Sequence, residues 1–418
     1  MIDWTASMQQ TFEYYTVDPF SWKDMTQLTN IKSCTITRDI EQDTLGSATF
    51  DVTGTVGESY IRVYLIAIQN GNRKKIPLGT FLVQTPSSNY NGKVRSVQMD
   101  AYTPLIELKE NQPPIGYHIP KGEDVMGWAH TLTDDNCRAN VVAPVTPSNS
   151  LTYDFTAGSE DTWLSYINDL LTAAYVSIQY VVEKSGNEYL WTSSVIEETI
   201  SNKRDLGKLT TANDKVYEGT SSDGSTVLFC VRSKTNKYRF DLDEMGNILF
   251  APEQDVASLQ PVYTFDTDNK SILYPELSTN HDLYGIPNVV EVLYSDGKRS
   301  FYSVVENDDP NSPISTDTQT GRGRRITHRV VNPEIYGTPT QERVDEYAKQ
   351  LLKTLSSVEY TISYTHGYCP VRAGDCVRIN YSAAGLSDIK AKVISQSIRC
   401  VPGCPVSERA IFTNKLWG

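Results

Sequence analysis

Apolar and polar residues alternate with a period of two over most of the first hundred positions. Ile31, Ser33, Thr35 and Thr37 alternate with Lys32, Cys34, Ile36 and Arg38, and "LGSATFDVTG", "YIRVYLIAIQ", "IPLGTFLVQTP" and "KVRSVQMDAY" continue the pattern. Such spacing puts successive side chains on opposite faces of a strand, so the region predicts at least five short strands. The step Asn70-Gly71-Asn72 supplies the positive φ angles that a tight hairpin turn requires. Evenly spaced strands separated by turn residues predict a small antiparallel barrel or sandwich over residues 1–107.

From Pro104 the period changes. Val125, Trp128, Ala129 and Leu132 fall on one helical face. A second helix is expected from Ser159, as N-cap, with Trp163, Tyr166, Ile167, Leu170 and Leu171 as its apolar stripe. Residues 108–285 thus read as a mixed α/β region. Within it, about 177–236 is a polar, strand-rich excursion interrupting the route to a hairpin that turns at Met245-Gly246-Asn247. Strands return in "PNVVEVLY", "KRSFYSVV" and "RRITHRVV". A long helix over 339–355 is then expected, with Thr338 capping, Pro339 at its first position and Gln341 completing a T-x-x-Q box. Its stripe is Val344, Tyr347, Ala348, Leu351 and Leu355, and the strands "VEYTISYTHGY", "DCVRINY", "IKAKVISQSIR" and "SERAIFTNKLW" follow. The fold class expected is mainly β (α+β). Two small antiparallel barrels bracket a mixed middle region, and the second barrel, 286–418, carries the inserted helix.

Composition sharpens this picture in two places. The chain of 418 residues has a net charge of −13 and 25 tyrosines. The acidic balance argues against a protein that grips nucleic-acid phosphates, which needs a basic face. Tyrosine suits half-buried strands and subunit interfaces, where one end of the ring is dry and the other wet. The start, Met1-Ile2-Asp3-Trp4, shows no basic region leading into an apolar core, and Val63 to Ile68 is too short to span a bilayer. Folding in a cytosol is expected, without a secretion signal or a transmembrane segment.

Chemistry is scarce. The five histidines, His118, His130, His281, His328 and His366, form no H-E-x-x-H, and there is neither a G-x-S-x-G elbow nor a phosphate loop. "DTDNKS" at 266–271 and "DLDEMG" at 241–246 begin like calcium loops, but Ser271 replaces the turn glycine of the first and Pro252 takes the twelfth place of the second. Both read as acidic turns. The pair Asp308-Asp309 has the residue types for acid/base work, yet 51 acidic residues make such pairs commonplace. No catalytic or cofactor-binding residue is expected.

One ordered set of segments is more specific. "LGTFLVQTPSSNYNGKVRSVQMDAYTPLIEL" precedes the helical region, and "IPNVVEVLY", "NDDPNSPIST", "GRGRRITHRV", "TPTQERVDEYAKQLL" and "AGDCVRINY" follow it in that order. This order resembles the baseplate hub proteins of tailed bacteriophages, related to the hub portion of siphophage tail-associated proteins and to the base of type VI secretion spikes. The resemblance covers residues 1–175 and 237–418. It implies a non-enzymatic homotrimer whose two barrels per chain alternate around a ring, so that a threefold hub meets a sixfold tail tube or distal tail ring. It also implies docking of a central fibre or spike protein, proximity to the tape-measure protein, and passage of DNA through the channel without specific binding. The implied location is the virion tail tip, assembled in the host cytoplasm, with roles in host attachment and genome ejection. Two rivals remain. A receptor- or carbohydrate-binding tail protein would use Tyr189, Trp191 and Tyr217 as a sugar platform, and a tail-tip hydrolase would need an added domain for which the end at Trp417-Gly418 leaves no room.

The cysteines complete the reading. Seven is an odd number, so at least one lacks an intrachain partner. Cys369, Cys376, Cys400 and Cys404 are expected to gather at one end of the second barrel if its last strands run up and down in sequence order. They would serve there as a structural zinc site, as disulfides or as buried free thiols, and without catalysis.

Overall fold

The computed structural model describes residues 2–417 apart from 55, 91–94, 143–147, 175, 197–199, 211–213, 235–236, 254–255, 257–258, 269, 320 and 334–338. The chain divides into two compact units. The first comprises Met1–Ile2, Ser7–Ser258 and Arg399–Pro402, and the second Asp3–Ala6, Leu259–Ile398 and Gly403–Gly418.

In the first unit, strands β1 (Gln9–Val17), β2 (Asp24–Leu28), β3 (Ile31–Asp39), β4 (Gly46–Val52), β5 (Tyr60–Gln69), β6 (Asn72–Tyr90) and β7 (Arg95–Tyr102) form an antiparallel array in the order β3-β4-β7-β6-β5-β1-β2. The hairpin of β5 and β6 turns where expected: Asn70 and Gly71 take φ of 51° and 78°, and Gln69 pairs with Asn72. Cross-strand register puts Cys34, Phe50 and Met99 on one face, all buried. Strand β5 is buried along nearly its whole length, which explains its almost unbroken apolar run and makes Arg62 within it unusual.

Helices α1 (Ile106–Glu110), α2 (Val125–Asn136) and α3 (Trp163–Thr172) share a core with Val17, Trp22, Tyr60 and Leu82. Two short strands, β8 (His118–Ile119) and β9 (Phe155–Thr156), pair beside them. Helix α3 starts later than its sequence suggests. Thr162, not Ser159, is the cap, because Thr162 Oγ1 accepts from Ser165 N while Ser165 Oγ accepts from Thr162 N, at 3.2 and 3.0 Å. Two backbone donors satisfied reciprocally outweigh a single cap.

The excursion forms a sheet of its own. Strands β10 (Val176–Ser185), β11 (Glu188–Ile196), β12 (Ser201–Lys208), β13 (Lys215–Thr220) and β14 (Thr226–Lys234) pair in the order β11-β10-β14-β13-β12, over a small core of Val182, Leu209, Val216 and Cys230. Its first and last strands bring Val176 opposite Lys234, so the segment leaves and re-enters at one place. The hairpin of β15 (Tyr238–Leu242) and β16 (Ile248–Pro252) follows, with Phe240, Ile248 and Phe250 in the helical core.

The second unit contains β17 (Tyr263–Phe265), β18 (Leu273–His281), β19 (Val289–Ser295), β20 (Ser300–Glu306), β21 (Thr327–Val331), α4 (Gln341–Leu355), β22 (Ser357–Gly367), β23 (Cys376–Tyr381), β24 (Leu386–Arg399) and β25 (Pro405–Lys415). One array runs β18-β22-β25-β24-β23-β17, antiparallel except for the parallel pair β17 and β23. The last four strands therefore do not follow sequence order. Strand β25 lies between β22 and β24 because it matches β22 over the full ladder from Ser357↔Lys415 to Gly367↔Pro405. A separate three-stranded sheet, β20-β19-β21, packs Val290 and Val292 against Val344, Ala348 and Leu352 of α4. This helix is capped by Thr340, whose Oγ1 accepts from Arg343 N. Thr338 lies outside the described residues. Gln341 is the first helical residue and bonds to Tyr302 O and Asp345 instead of closing a box.

Candidate functional site

The four cysteines singled out by the sequence are buried, and all seven cysteines carry free thiols. Cys369 follows β22, and its Sγ lies 3.8 Å from His366 Nδ1. Cys376 opens β23 opposite Lys392, at the first pair of that ladder, with its Sγ 3.9 Å from Val377 O. Cys404 precedes β25 with a φ of 37°. Cys400 belongs to the first unit, where its N–H donates to Cys34 O at 2.8 Å and the two thiols are hydrogen-bonded. The structure therefore joins Cys369 to His366 and Cys400 to Cys34, a residue outside the expected set. Among the described residues, no group of three or more His, Cys, Asp or Glu side chains is placed to hold a metal ion.

Around Cys369 the second unit assembles a buried polar centre. Glu408 on β25 accepts from Tyr364 Oη at 2.5 Å and from Gln396 Nε2 on β24. His366 Nε2 lies 3.2 Å from Glu408 Oε1, an electrostatic contact off the line of a hydrogen bond. His366 Nδ1 lies 2.7 Å from Gly367 O, and the Phe265 ring packs against the imidazole at 4.7 Å. Thiol, imidazole and carboxylate thus stand in the order of a nucleophilic relay. Two observations argue against catalysis. Cys369, His366 and Glu408 are 1%, 0% and 3% exposed, which leaves no route for substrate. Burial, and then the charge of Glu408, push the Cys369 thiol well up, so that it holds its proton rather than attacking. The centre instead ties three adjacent strands together, and Gln396 extends it to Val371 O at 2.9 Å.

A second buried centre, in the first unit, was not foreseen. Arg62 is 1% exposed and donates to Thr80 Oγ1 at 2.8 Å, Asp24 Oδ1 at 2.8 Å, Met245 O at 2.9 Å and Trp22 O at 3.3 Å. Met245 O also accepts from Trp22 Nε1 at 3.0 Å and Thr80 Oγ1 at 2.8 Å. One hairpin-tip carbonyl is thus held by three donors. The next residue, Gly246, has a φ of 76°, and a Cβ there would meet Thr80 Cβ at 2.6 Å. The signal was an arginine inside an apolar strand, since a buried guanidinium needs several acceptors.

The ordered segments of the second unit gain a physical meaning. Asn288, fully buried at the head of β19, donates to Ile314 O and Arg324 O at 2.8 Å each and accepts from Ile326 N at 2.7 Å. Asn307 Nδ2 bonds Ser312 Oγ at 2.9 Å, and Asp309 turns the link by accepting from Asn311 N. Arg322 donates to Ile286 O and Leu283 O, at 2.7 Å each. The Asn-Val-Val strand, the Asp-Pro-Asn-Ser link and the Gly-Arg turn are therefore one hydrogen-bonded plug.

Two surfaces remain. Opposite α4, the sheet β20-β19-β21 exposes Leu293, Tyr302, Val304 and Val331, with Arg329 and Glu291 paired at 2.7 Å among them. Register places Tyr302 and Val331 on either side of Leu293, so these residues make a continuous apolar strip. In the excursion, Tyr189 packs into the small core that contains Val216, whereas Tyr217 turns to the other face and stacks on Phe229 at 5.5 Å. Tyr189, Trp191 and Tyr217 do not form one platform.

No protein-family model and no curated protein matches the sequence. Solved structures do match. A tail protein from Neisseria meningitidis MC58 superposes with a TM-score of 0.51 at 12% identity, covering 98% of each chain. The 43 kDa tail protein of a Shewanella oneidensis prophage gives 0.48 at 9% identity, over 96% of this chain and 98% of the other. A prophage tail protein from Listeria monocytogenes gives 0.39 at 11%, over 95% and 94%. Over 98% of its length, this chain is similar in fold to the Neisseria tail protein.

Proposed function

We propose that this chain is a structural subunit of a phage tail, a homotrimeric hub at the baseplate or tail tip. It adapts the sixfold tube or distal tail ring to a threefold spike or fibre and surrounds the channel through which DNA leaves. The observation that supports the reading best is the match in fold to a solved tail protein over 98% of both chains. Two features support it. The titratable groups with relay-like order are buried as a strut, as suits a scaffold. The apolar strip of Leu293, Tyr302, Val304 and Val331 is a surface for a neighbouring subunit, since apolar sheet faces seek cover. A closed ring of three copies uses heterologous interfaces, so that strip need not contact itself. Three copies of a chain of net charge −13 also give an acidic assembly, which would let DNA pass without sticking. The role is non-enzymatic, and the location is the virion, after assembly in the host cytoplasm.

The test is stoichiometry. Quantitative mass spectrometry of purified tails, with the tube protein as the internal standard and the number of its rings counted from tail length in micrographs, should return three copies of this chain per tail. Six copies, or none in the particle, would overturn the reading.

A further inference from the structure

The contact of Cys400 with Cys34 lies outside everything assigned above and does not depend on the hub reading. The Cys400 N–H to Cys34 O bond of 2.8 Å limits the separation of the two α-carbons to roughly 6.7 Å, the length of that bond plus the covalent reach on either side. That is within the span a disulfide bridges, roughly 4.4–6.8 Å. Both side chains point inward, at 2% and 3% exposure, and their thiols are hydrogen-bonded to each other. Four of the other five cysteines are engaged elsewhere, Cys376 with its Sγ 3.9 Å from Val377 O. Cys137 Sγ donates to Pro104 O at 3.5 Å, Cys369 lies against His366, and Cys230 packs in the excursion's core.

We propose that Cys34 and Cys400 are a disulfide-forming pair, left as thiols in a reducing cytosol and joined when the chain meets a small-molecule disulfide such as cystine. One thiolate attacks a cystine sulfur, forming a mixed disulfide and releasing one cysteine thiol. The second thiolate then attacks the protein sulfur of that mixed disulfide and releases the other. Two protein thiols lose two protons and two electrons, and one cystine becomes two cysteines, so atoms and electrons balance. The bond would staple β3 to the segment Arg399–Pro402, which is joined to it otherwise only by non-covalent contacts. Arg38 is the cation whose field favours a thiolate at Cys400. The hydrogen bond to Cys34, and then burial, oppose that charge, so exchange is slow and proceeds through local opening.

The experiment uses the full chain, purified reduced, at the lowest urea concentration at which a maleimide labels both Cys34 and Cys400. Access to reagent is then established before oxidation is judged. Incubation with cystine in place of maleimide, followed by alkylation and peptide mapping, should show one cross-linked peptide pair joining Cys34 to Cys400. Two of the seven alkylatable thiols should be lost. The substitution Cys34→Ser should abolish the cross-link without creating another, and should the variant fail to fold, the map of the natural chain still decides. Seven alkylated thiols under conditions where maleimide reacts, or a bond joining any other pair, would overturn the proposal.

Discussion

Replacing Arg62 by methionine removes a buried charge of similar volume and tests how the first unit is held together. The guanidinium donates to Thr80, Asp24, Met245 and Trp22. Two of these acceptors keep other donors in the variant. Met245 O retains Trp22 Nε1 and Thr80 Oγ1, and Asp24 retains Tyr64 Oη and Lys75 Nζ at 2.8 and 3.4 Å. Among the described residues, Trp22 O has no donor other than Arg62. A stranded buried acceptor costs about 1–3 kcal/mol, and the lost charged bond to Asp24 about 1.5–3 kcal/mol. Removing a charge from the interior returns part of this, because its desolvation cost disappears as well. The net expectation is a loss of about 3 kcal/mol from the first unit, or a fall in its Tm of ~6–12 °C at roughly 2–4 °C per kcal/mol. Two compact units can unfold separately, so the assay must resolve them. Urea titration of the full chain followed by tryptophan fluorescence does so in combination with Gly246→Ala. That substitution strains the same hairpin tip through its φ of 76° and its clash with Thr80, and should shift the same transition. An Arg62→Met chain within about 0.5 kcal/mol of the natural one, or one losing stability in the other transition, would refute the reasoning.

Two more outcomes follow from the same structure. Burial pushes the Glu107 carboxyl up, but hydrogen bonds from Arg138 and Tyr60 outweigh it and hold the group below its usual range. Its contribution is therefore full above the unfolded carboxylate range and fades as pH falls through the lowered value. Glu107→Gln should cost about 1–2 kcal/mol at pH 7 and progressively less as pH falls below the ordinary carboxylate range, read by chemical unfolding across an acid series, and a loss that does not change with pH would contradict that sign. Deleting 175–236 with a short Gly/Ser joint between Ala174 and Lys237 should leave the rest folded, because Val176 and Lys234 are paired neighbours and the excursion carries its own core. A deleted chain lacking the near-UV circular dichroism of packed aromatics would show that the excursion is needed for folding.

What the sequence revealed and what it hid have physical reasons. Strands in the first hundred residues were legible because period two and the Asn70-Gly71 turn act locally, and the stripe Val344, Ala348 reported a helix packed on one side. Cap positions slipped, from Ser159 to Thr162, because several Ser and Thr residues compete and reciprocal bonding with Ser165 decides. Strand order in the second unit was hidden because it depends on matching distant ladders, here β22 with β25, which no local pattern encodes. For the same reason the partner of Cys400 proved to be Cys34, far away in sequence. Buried polar centres left faint traces: Arg62 inside an apolar run and His366 three residues before Cys369, whereas nothing near Glu408 marks it as buried.

Electron cryomicroscopy of the assembled tail, processed without imposed symmetry, bears most directly on the central claim. The account predicts three copies of this chain in a ring around an open channel, with the apolar strip of Leu293, Tyr302, Val304 and Val331 covered by a neighbouring subunit. A ring of six copies, a twofold arrangement, or a peripheral position away from the channel would contradict it.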